Sequence, residues 1–483
     1  MKIAIIKAPI KDAQIKHYIR EYYPLDMAYL GTYLKENKIE VILIDAVIED
    51  LTINDVIERL KNEKVSIAGF TTSLDMFTSA TAMMNDVRDA INAVKQQLNI
   101  PTFAYGFHAA ALPEQTLQEI KGLDFVIMAE PELTLLEFAQ KDLISYKGFN
   151  ADDEQLQNIQ GLAFRKEGKF FKTIPRQMIQ NLDILPIPDR ELLPMKKYQS
   201  RPISPPEGQI IFGRGCPFQC IFCSPHVLYG YKHRTRSPEN MIKEIKMLQE
   251  KYGVKNFGIM DPTLTISKDA VMKLCQGFID AKLDITWGCY ARINIVDEEL
   301  LKKMYDAGCR WVDYGIESGD DEILKRLKKA TTVKQGIEKV ELTKKVGINP
   351  RVNFLIGFPF ETKESIQKTV DLARSLIKEE SCITVVQPYP GTELYRMCDK
   401  EGLLKTKDWS QYVTLAKLKP KIIIKLPEET EKAAVEGLEQ IYGVYIKKIL
   451  SSGNIKLIAA KLKQTRLRDY PLMTKKLLKE LVR

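Results

Sequence analysis

The first part of the chain alternates short apolar runs with amphipathic stretches. The runs are KIAIIK, VILID, SIAGFTT, TFAYG and DFVIMAE, and each is followed by residues whose apolar positions recur at helical spacing. Runs apolar on both faces are strands buried on both faces, and strands alternating with helices predict a doubly wound, Rossmann-like α/β domain of five strands over residues 1–142. Ligands of such sheets sit beyond the carboxyl ends of the strands, so the positions of interest are Pro9, Thr71 to Asp75, Tyr105 to His108 and Glu130 to Thr134. No GxGxxG follows the first strand and no Walker loop occurs, so a dinucleotide is not indicated.

Residues 143–205 read as a linker, with a hairpin in GLAFRKEGKFFKT and proline-rich stretches in LDILPIPDRELLP and RPISPP. The strand-helix alternation then resumes over 206–404, in QIIFGRG, VKNFGIMD, ITWGCYAR, WVDYGIES, RVNFLIG and ITVVQPYP. Six consecutive repeats predict a partial, TIM-like (β/α)6 barrel, whose active groups belong at the C-terminal rim. Residues 405–483 read as mainly helical, with KIIIKL as a short strand.

Length and composition agree with this division. A chain of 483 residues is too long for one ordinary domain. Hydrophobic content of 45% with 28% charged residues is that of a soluble globular protein, and no apolar run approaches the length that spans a bilayer. MKIAIIKAPI reads as a first strand rather than a signal peptide. The net charge of +9 is matched by residues 447–483 alone, where eleven Lys and Arg face Asp469 and Glu480. That basic tail suits an amphipathic helix packed on its own protein or, alternatively, peripheral contact with an anionic membrane; no nucleic-acid motif accompanies it.

Of eight cysteines, five are scattered at 275, 289, 309, 382 and 398 and read as core thiols of a protein in the reducing cytoplasm. The other three, Cys216, Cys220 and Cys223, form C-x3-C-x2-C in GRGCPFQCIFC. Three thiolates can hold three corners of a 4Fe-4S cube and leave one iron open; a zinc site completed by His226 is the alternative, at a spacing no common zinc site uses. The cysteine loop follows the first barrel strand, and polar or small residues close the others: Asp261, Arg292, Glu317, Gly357 and Tyr389. Their convergence at the strand ends predicts a shared site.

The three-cysteine spacing, with Phe222 before the third cysteine, resembles the radical S-adenosylmethionine (SAM) superfamily, in which SAM chelates the open iron and is split to a 5'-deoxyadenosyl radical. Trp287 to Arg292 (W-x4-R), GIESG, IGFPFET and PYPGTELY, in that order, are similar to signatures of the cobalamin-dependent members. YPLDMAYLGTYL, GFHAAALPE and AEPELTLLEF resemble their cobalamin-binding module. The resemblance implies a 4Fe-4S cluster on Cys216, Cys220 and Cys223, SAM contacts from Asp261, Arg292, Glu317, Gly357 and Tyr389, and cobalamin contacts from Thr72, Ser73, Gly106, His108 and Glu130. Two departures stand out. Tyr105 replaces the first of two glycines, where a side chain would crowd the nucleotide tail, and no D-x-H-x-x-G supplies a histidine to cobalt.

No cysteine precedes Cys216 and none follows Cys398, which excludes members that carry a further cluster at either end. The reading that remains is cobalamin-dependent C-methylation of an unactivated carbon in a small-molecule or lipid-like substrate, with electrons from a flavodoxin or ferredoxin. The alternatives are an oxidative cyclase or ring-rearranging enzyme of the tetrapyrrole type, and a non-catalytic cobalamin or redox sensor.

Overall fold

The computed structural model describes residues 1–451 apart from 13–14, 17–18, 20–22, 75–78, 142, 146–147, 150–153, 199–207, 377–381 and 414–420. Asp75, the RPISPP stretch and the basic tail from 452 onward therefore lie outside the described residues. The five expected strands are β1 (Lys2–Lys7), β2 (Glu40–Asp45), β3 (Ile67–Thr71), β4 (Thr102–Tyr105) and β5 (Phe125–Ile127). They pair in parallel in the order β2-β1-β3-β4-β5, a doubly wound arrangement whose strand order reverses between β1 and β3. Alternation sorts their side chains. Ile3, Ile5, Phe103 and Tyr105 share one core with helices Leu25–Glu36 and Pro131–Gln140, while Ala4, Ile6, Phe70 and Ala104 share another with Ile53–Asn62 and Met84–Leu98.

The hairpin anticipated within the linker is part of this sheet. Its strands, β6 (Leu162–Lys166) and β7 (Lys169–Lys172), extend the sheet to seven, with β6 antiparallel to β5 and Phe164 opposite Phe125. Aromatic packing explains the position: Phe149 stacks on Phe125 at 5.3 Å and Phe171 meets Phe164 at 5.1 Å, so the hairpin covers an edge that β5 would otherwise expose.

The second sheet contains β8 (Gly208–Ile210), β9 (Asn256–Ile259), β10 (Thr286–Ala291), β11 (Cys309–Glu317), β12 (Asn349–Ile356) and β13 (Cys382–Val385). All six are parallel and in sequence order, as the repeats predicted for a partial barrel. Side chains of Ser237, Ser267, Asp297 and Thr332 cap four of the intervening helices by accepting from backbone N–H groups, which sets where each crossover turns back. KIIIKL contributes one isolated bridge, Ile424 to Leu404, rather than a strand, because the chain passes on to helix Glu428–Ser451. Trp409 and Tyr412 return to the first domain and complete its second core. No described helix is long and apolar enough to cross a membrane.

The two sheets are joined by buried charge. Arg214, just ahead of the cysteine loop, donates to Glu132 at 2.7 Å and to Glu130 at 3.2 Å, and Arg234 reaches both oxygens of Glu130 at 3.0 and 2.9 Å. All four side chains are buried. Removing one partner of such a network strands the other charge in a medium that cannot solvate it, at a cost of about 3–5 kcal/mol. Arg214→Met is accordingly expected to lower the thermal denaturation midpoint sharply, and Arg214→Met combined with Glu132→Gln is expected to recover part of the loss.

Candidate active site

Local backbone chemistry fixes the cysteine loop before any ligand is considered. Gly213 and Arg214 pair antiparallel with Arg234 and Thr235, and Gly215 follows at φ +85°. A Cβ on Gly215 would lie 2.1 Å from the Lys232 carbonyl oxygen, so only glycine allows this approach. Cys216 N then donates to Gly230 O at 3.3 Å, and Ile221 N to Leu327 O at 3.3 Å.

The three cysteines line one cleft, together with Phe218, Phe222, Thr263, Tyr290, Arg292 and Asp313, and with Glu317, Lys329 and Asn353. Among the described residues no three His, Cys, Asp or Glu side chains converge closely enough to hold a single metal ion. His226 also lines the cleft, but its Nε2 lies 3.3 Å from Gly391 O and its ring is stacked on Tyr231 at 5.0 Å. These contacts of His226 disfavour the Cys3His zinc alternative. Burial raises the pKa of Cys216 and of Cys223, so metal binding would release protons from both.

Arg292 is buried and makes no ion pair with a described carboxylate. Its Nη1 donates to Cys220 Sγ at 3.0 Å, its Nε to Asn294 Oδ1 at 3.2 Å and its Nη2 to Lys329 O, and the guanidinium lies 3.8 Å above Phe218. A buried cation whose nearest anion-forming group is a cysteine sulfur fits a negatively charged occupant of the loop. Glu317 adopts φ +71°, rare for a residue with a side chain, and pairs with buried Lys329 at 2.6 Å. Gly315 makes room for that pair, since a Cβ there would stand 2.0 Å from Glu317 Oε1.

Other expected residues lie beside the cleft rather than in it. Asp261 is buried under the loop, where Oδ1 accepts from Phe212 N at 2.8 Å; burial pushes its pKa up to about 7. Gly357 has φ +92° and donates its N–H to Glu361 Oε2 at 2.6 Å, so it shapes the end of β12. Tyr389 packs against the second core of the first domain. Neither these two nor Asp261 is among the lining residues.

The side chains of the expected cobalamin contacts are engaged by other residues of the protein. Thr72 Oγ1 donates to Tyr105 O at 2.9 Å and accepts from Ala109 N at 3.1 Å, and Ser73 Oγ accepts from Phe107 N at 3.3 Å. Gly106, at φ +102°, lets these loops meet: a Cβ would be 2.6 Å from Ser73 Oγ. His108 is buried against Trp409 at 4.8 Å, with Nδ1 3.1 Å from Thr81 Oγ1, and burial lowers its pKa to about 3. Glu130 is committed to two arginines and to Ile179 N at 2.8 Å. Tyr105 is buried in the core facing the second sheet, near Tyr229, rather than standing out over the strand ends. The sheet topology suits a B12-binding domain, while these side chains form the walls of its loops; no corrin contact is assigned to any of them.

Comparison with known proteins agrees with the geometry. Residues 210–373 match the family described as the Radical SAM superfamily, and residues 17–139 match the B12 binding domain. An uncharacterized methyltransferase of Pyrococcus horikoshii is 34% identical over 416 residues, covering 86% of this chain and 87% of the relative. This is a cobalamin-type radical SAM enzyme. Its family's cofactors are a 4Fe-4S cluster, SAM and cobalamin. The anaerobic magnesium-protoporphyrin IX monomethyl ester cyclase of Rubrivivax gelatinosus is 28% identical, over 77% of this chain and 66% of the relative. The cobalamin-dependent SAM radical enzyme OxsB, solved with aqua-cobalamin and SAM bound, superposes with a TM-score of 0.73 at 16% identity, covering 96% of this chain and 70% of that one.

Lys329, Phe218, Asp313 and Asn353 escaped the reading of strand ends. Asp313 and Gly315 precede Glu317 at two-residue spacing on one face of β11, a signal the sequence did carry. Lys329 lies in a loop with no periodicity to mark it.

Glu361, which caps Gly357 and Phe358, has its pKa pushed up to about 7 by burial, from an ordinary 4.5. A carboxyl with a raised folded-state pKa contributes stability that is complete below about 4.5 and is lost as pH rises through about 7, at about 1.4 kcal/mol per unit. Denaturation midpoints are therefore expected to fall between pH 5 and pH 8, and Glu361→Gln is expected to reduce that fall.

Proposed function

We propose that Cys216, Cys220 and Cys223 hold the 4Fe-4S cluster, that SAM occupies the cleft lined by Arg292 and the Glu317–Lys329 pair, and that the enzyme C-methylates an unactivated carbon. The observation that carries the reading is the sharing of one cleft by the three cysteines and these charged residues at the barrel rim. The similarity to a relative named as a methyltransferase supports the choice of reaction.

In this reading Cys216, Cys220 and Cys223 would hold the cluster, Glu317 would offer an acceptor to ribose hydroxyls, and Phe218, Phe222 and Tyr290 would keep water from the reacting carbon. Cobalamin, when bound, supplies the methyl-carrying centre. The overall balance is two SAM and two electrons consumed, with methionine, 5'-deoxyadenosine, S-adenosylhomocysteine and the methylated product released. The electrons would come from an external flavodoxin or ferredoxin, the substrate would be a small or lipid-like molecule, and the cysteine usage supports a reducing, cytoplasmic setting. Asp261, Gly357 and Tyr389 support the SAM site through the backbone they hold.

A second reading, oxidative cyclisation, draws on the similarity to the cyclase. Product analysis separates the two. Anaerobically reconstituted protein given reductant, SAM and cobalamin is expected to form both deoxyadenosine and S-adenosylhomocysteine; deoxyadenosine alone would favour the cyclase. Replacing Cys216, Cys220 and Cys223 together by alanine is expected to abolish deoxyadenosine, and its persistence would refute the assignment of the cluster.

A further inference from the structure

We infer that Arg292 is a positioning residue that sets the reduction potential of the cluster directly, through its hydrogen bond to the sulfur of Cys220, and not only by way of SAM. The inference rests on the assignment of the cluster to the three cysteines made above.

Charge pairing around the cleft singles out this residue. Lys329 is paired with Glu317 at 2.6 Å and Asp313 with Arg351 at 3.7 Å, so these four largely cancel. Arg292 is the lining cation whose partners are a thiol sulfur, a carbonyl oxygen and an amide oxygen. Its position is over-determined. Phe218 lies under the guanidinium at 3.8 Å, Asn294 Oδ1 holds Nε at 3.2 Å, and Asn294 Nδ2 is itself tied to Ala330 O at 2.8 Å. A guanidinium held on one face and at two of its nitrogens cannot swing away when the loop fills. Three of its N–H groups are used in this way, which leaves two for a ligand.

Each electron added to an iron–sulfur group deepens the negative charge on it and on its thiolates. A cation and an N–H donor on one of those sulfurs stabilise the reduced state more than the oxidised one, and hydrogen bonds to the sulfurs are among the factors that tune cluster potentials. Arg292 therefore makes the cluster easier to reduce. Arg292 is itself buried, so water screens its charge little.

The experiment is an EPR-monitored redox titration of the reconstituted full chain with dithionite, in the absence of SAM. Relative to the unaltered protein, Arg292→Gln is expected to lower the equilibrium constant for reduction by tenfold or more, a shift of 59 mV for a one-electron couple. Phe218→Leu keeps the charge and all three cysteines but removes the stacking face, and is expected to shift the potential in the same direction by less. It carries the test if Arg292→Gln does not retain the cluster. Unchanged potentials in both variants, or a shift that appears only once SAM is added, would overturn the inference while leaving the cluster assignment intact. Unaltered protein that assembles no EPR-active cluster would overturn both.

Discussion

Four buried charges, Glu130 and Glu132 after β5 and Arg214 and Arg234 around the cysteine loop, tie the chemistry of the second domain to the strand ends of the first. Taking these groups out of water costs several kcal/mol per ion, and their mutual pairing offsets that cost only while the geometry is kept. An apolar contact of similar area would tolerate sliding. A carboxylate gripped at both oxygens by arginine does not. Tyr29 and Tyr229 flank Arg214 at 5.7 and 5.3 Å, so the guanidinium is enclosed by ring faces as well as by carboxylates. The connecting region is fastened in the same way: Arg190 and Arg236 both reach Glu244, at 2.8 and 2.6 Å. Cys216, two residues after Arg214, inherits its place from this joint.

The cleft shows the same economy on a smaller scale. Glu317 takes a backbone conformation that a side-chain-bearing residue rarely adopts, and its carboxylate folds back over Gly315 onto Lys329. Strain of this kind persists only where the surroundings over-determine it. Here β11 shifts register against β12 at Gly315 and Glu317, and the resulting irregularity turns the carboxylate toward the cysteines. The site is thus organised by its own chain before SAM or cluster contributes a contact.

Much of this was legible in the residue pattern, and the exceptions have physical causes. Buried strands announce themselves by apolar runs, so both parallel sheets and the sequential order of the second followed from periodicity, while the order β2-β1-β3-β4-β5 of the first did not. The hairpin at 162–172 was seen as a hairpin, but its membership of the first sheet depends on Phe125, Phe149, Phe164 and Phe171 meeting in space, which no local spacing reveals. Strand ends pointed to Arg292 and Glu317, both of which line the cleft. The same rule put Asp261 and Gly357 at the rim without showing that their hydrogen bonds point into the backbone. Glu130 followed the rule as well, yet its charge is taken up by arginines distant in sequence, a pairing visible only once the domains are packed together.

Burial makes the balance of charge in the cleft matter. Burial raises the pKa of Cys216 and Cys223, and three thiolates in the same place would repel one another and Glu317. A metal cluster relieves most of that repulsion but still carries net negative charge. Lys329 cannot answer it fully, because Glu317 already claims its ammonium. Arg292 remains, held against Cys220 by an aromatic face and a carbonyl oxygen rather than by a carboxylate that would cancel it. The cleft thus carries an uncompensated cation beside Cys220 and a compensated pair at Glu317 and Lys329. The buried joint at Arg214 keeps them in register with the domain that binds cobalamin.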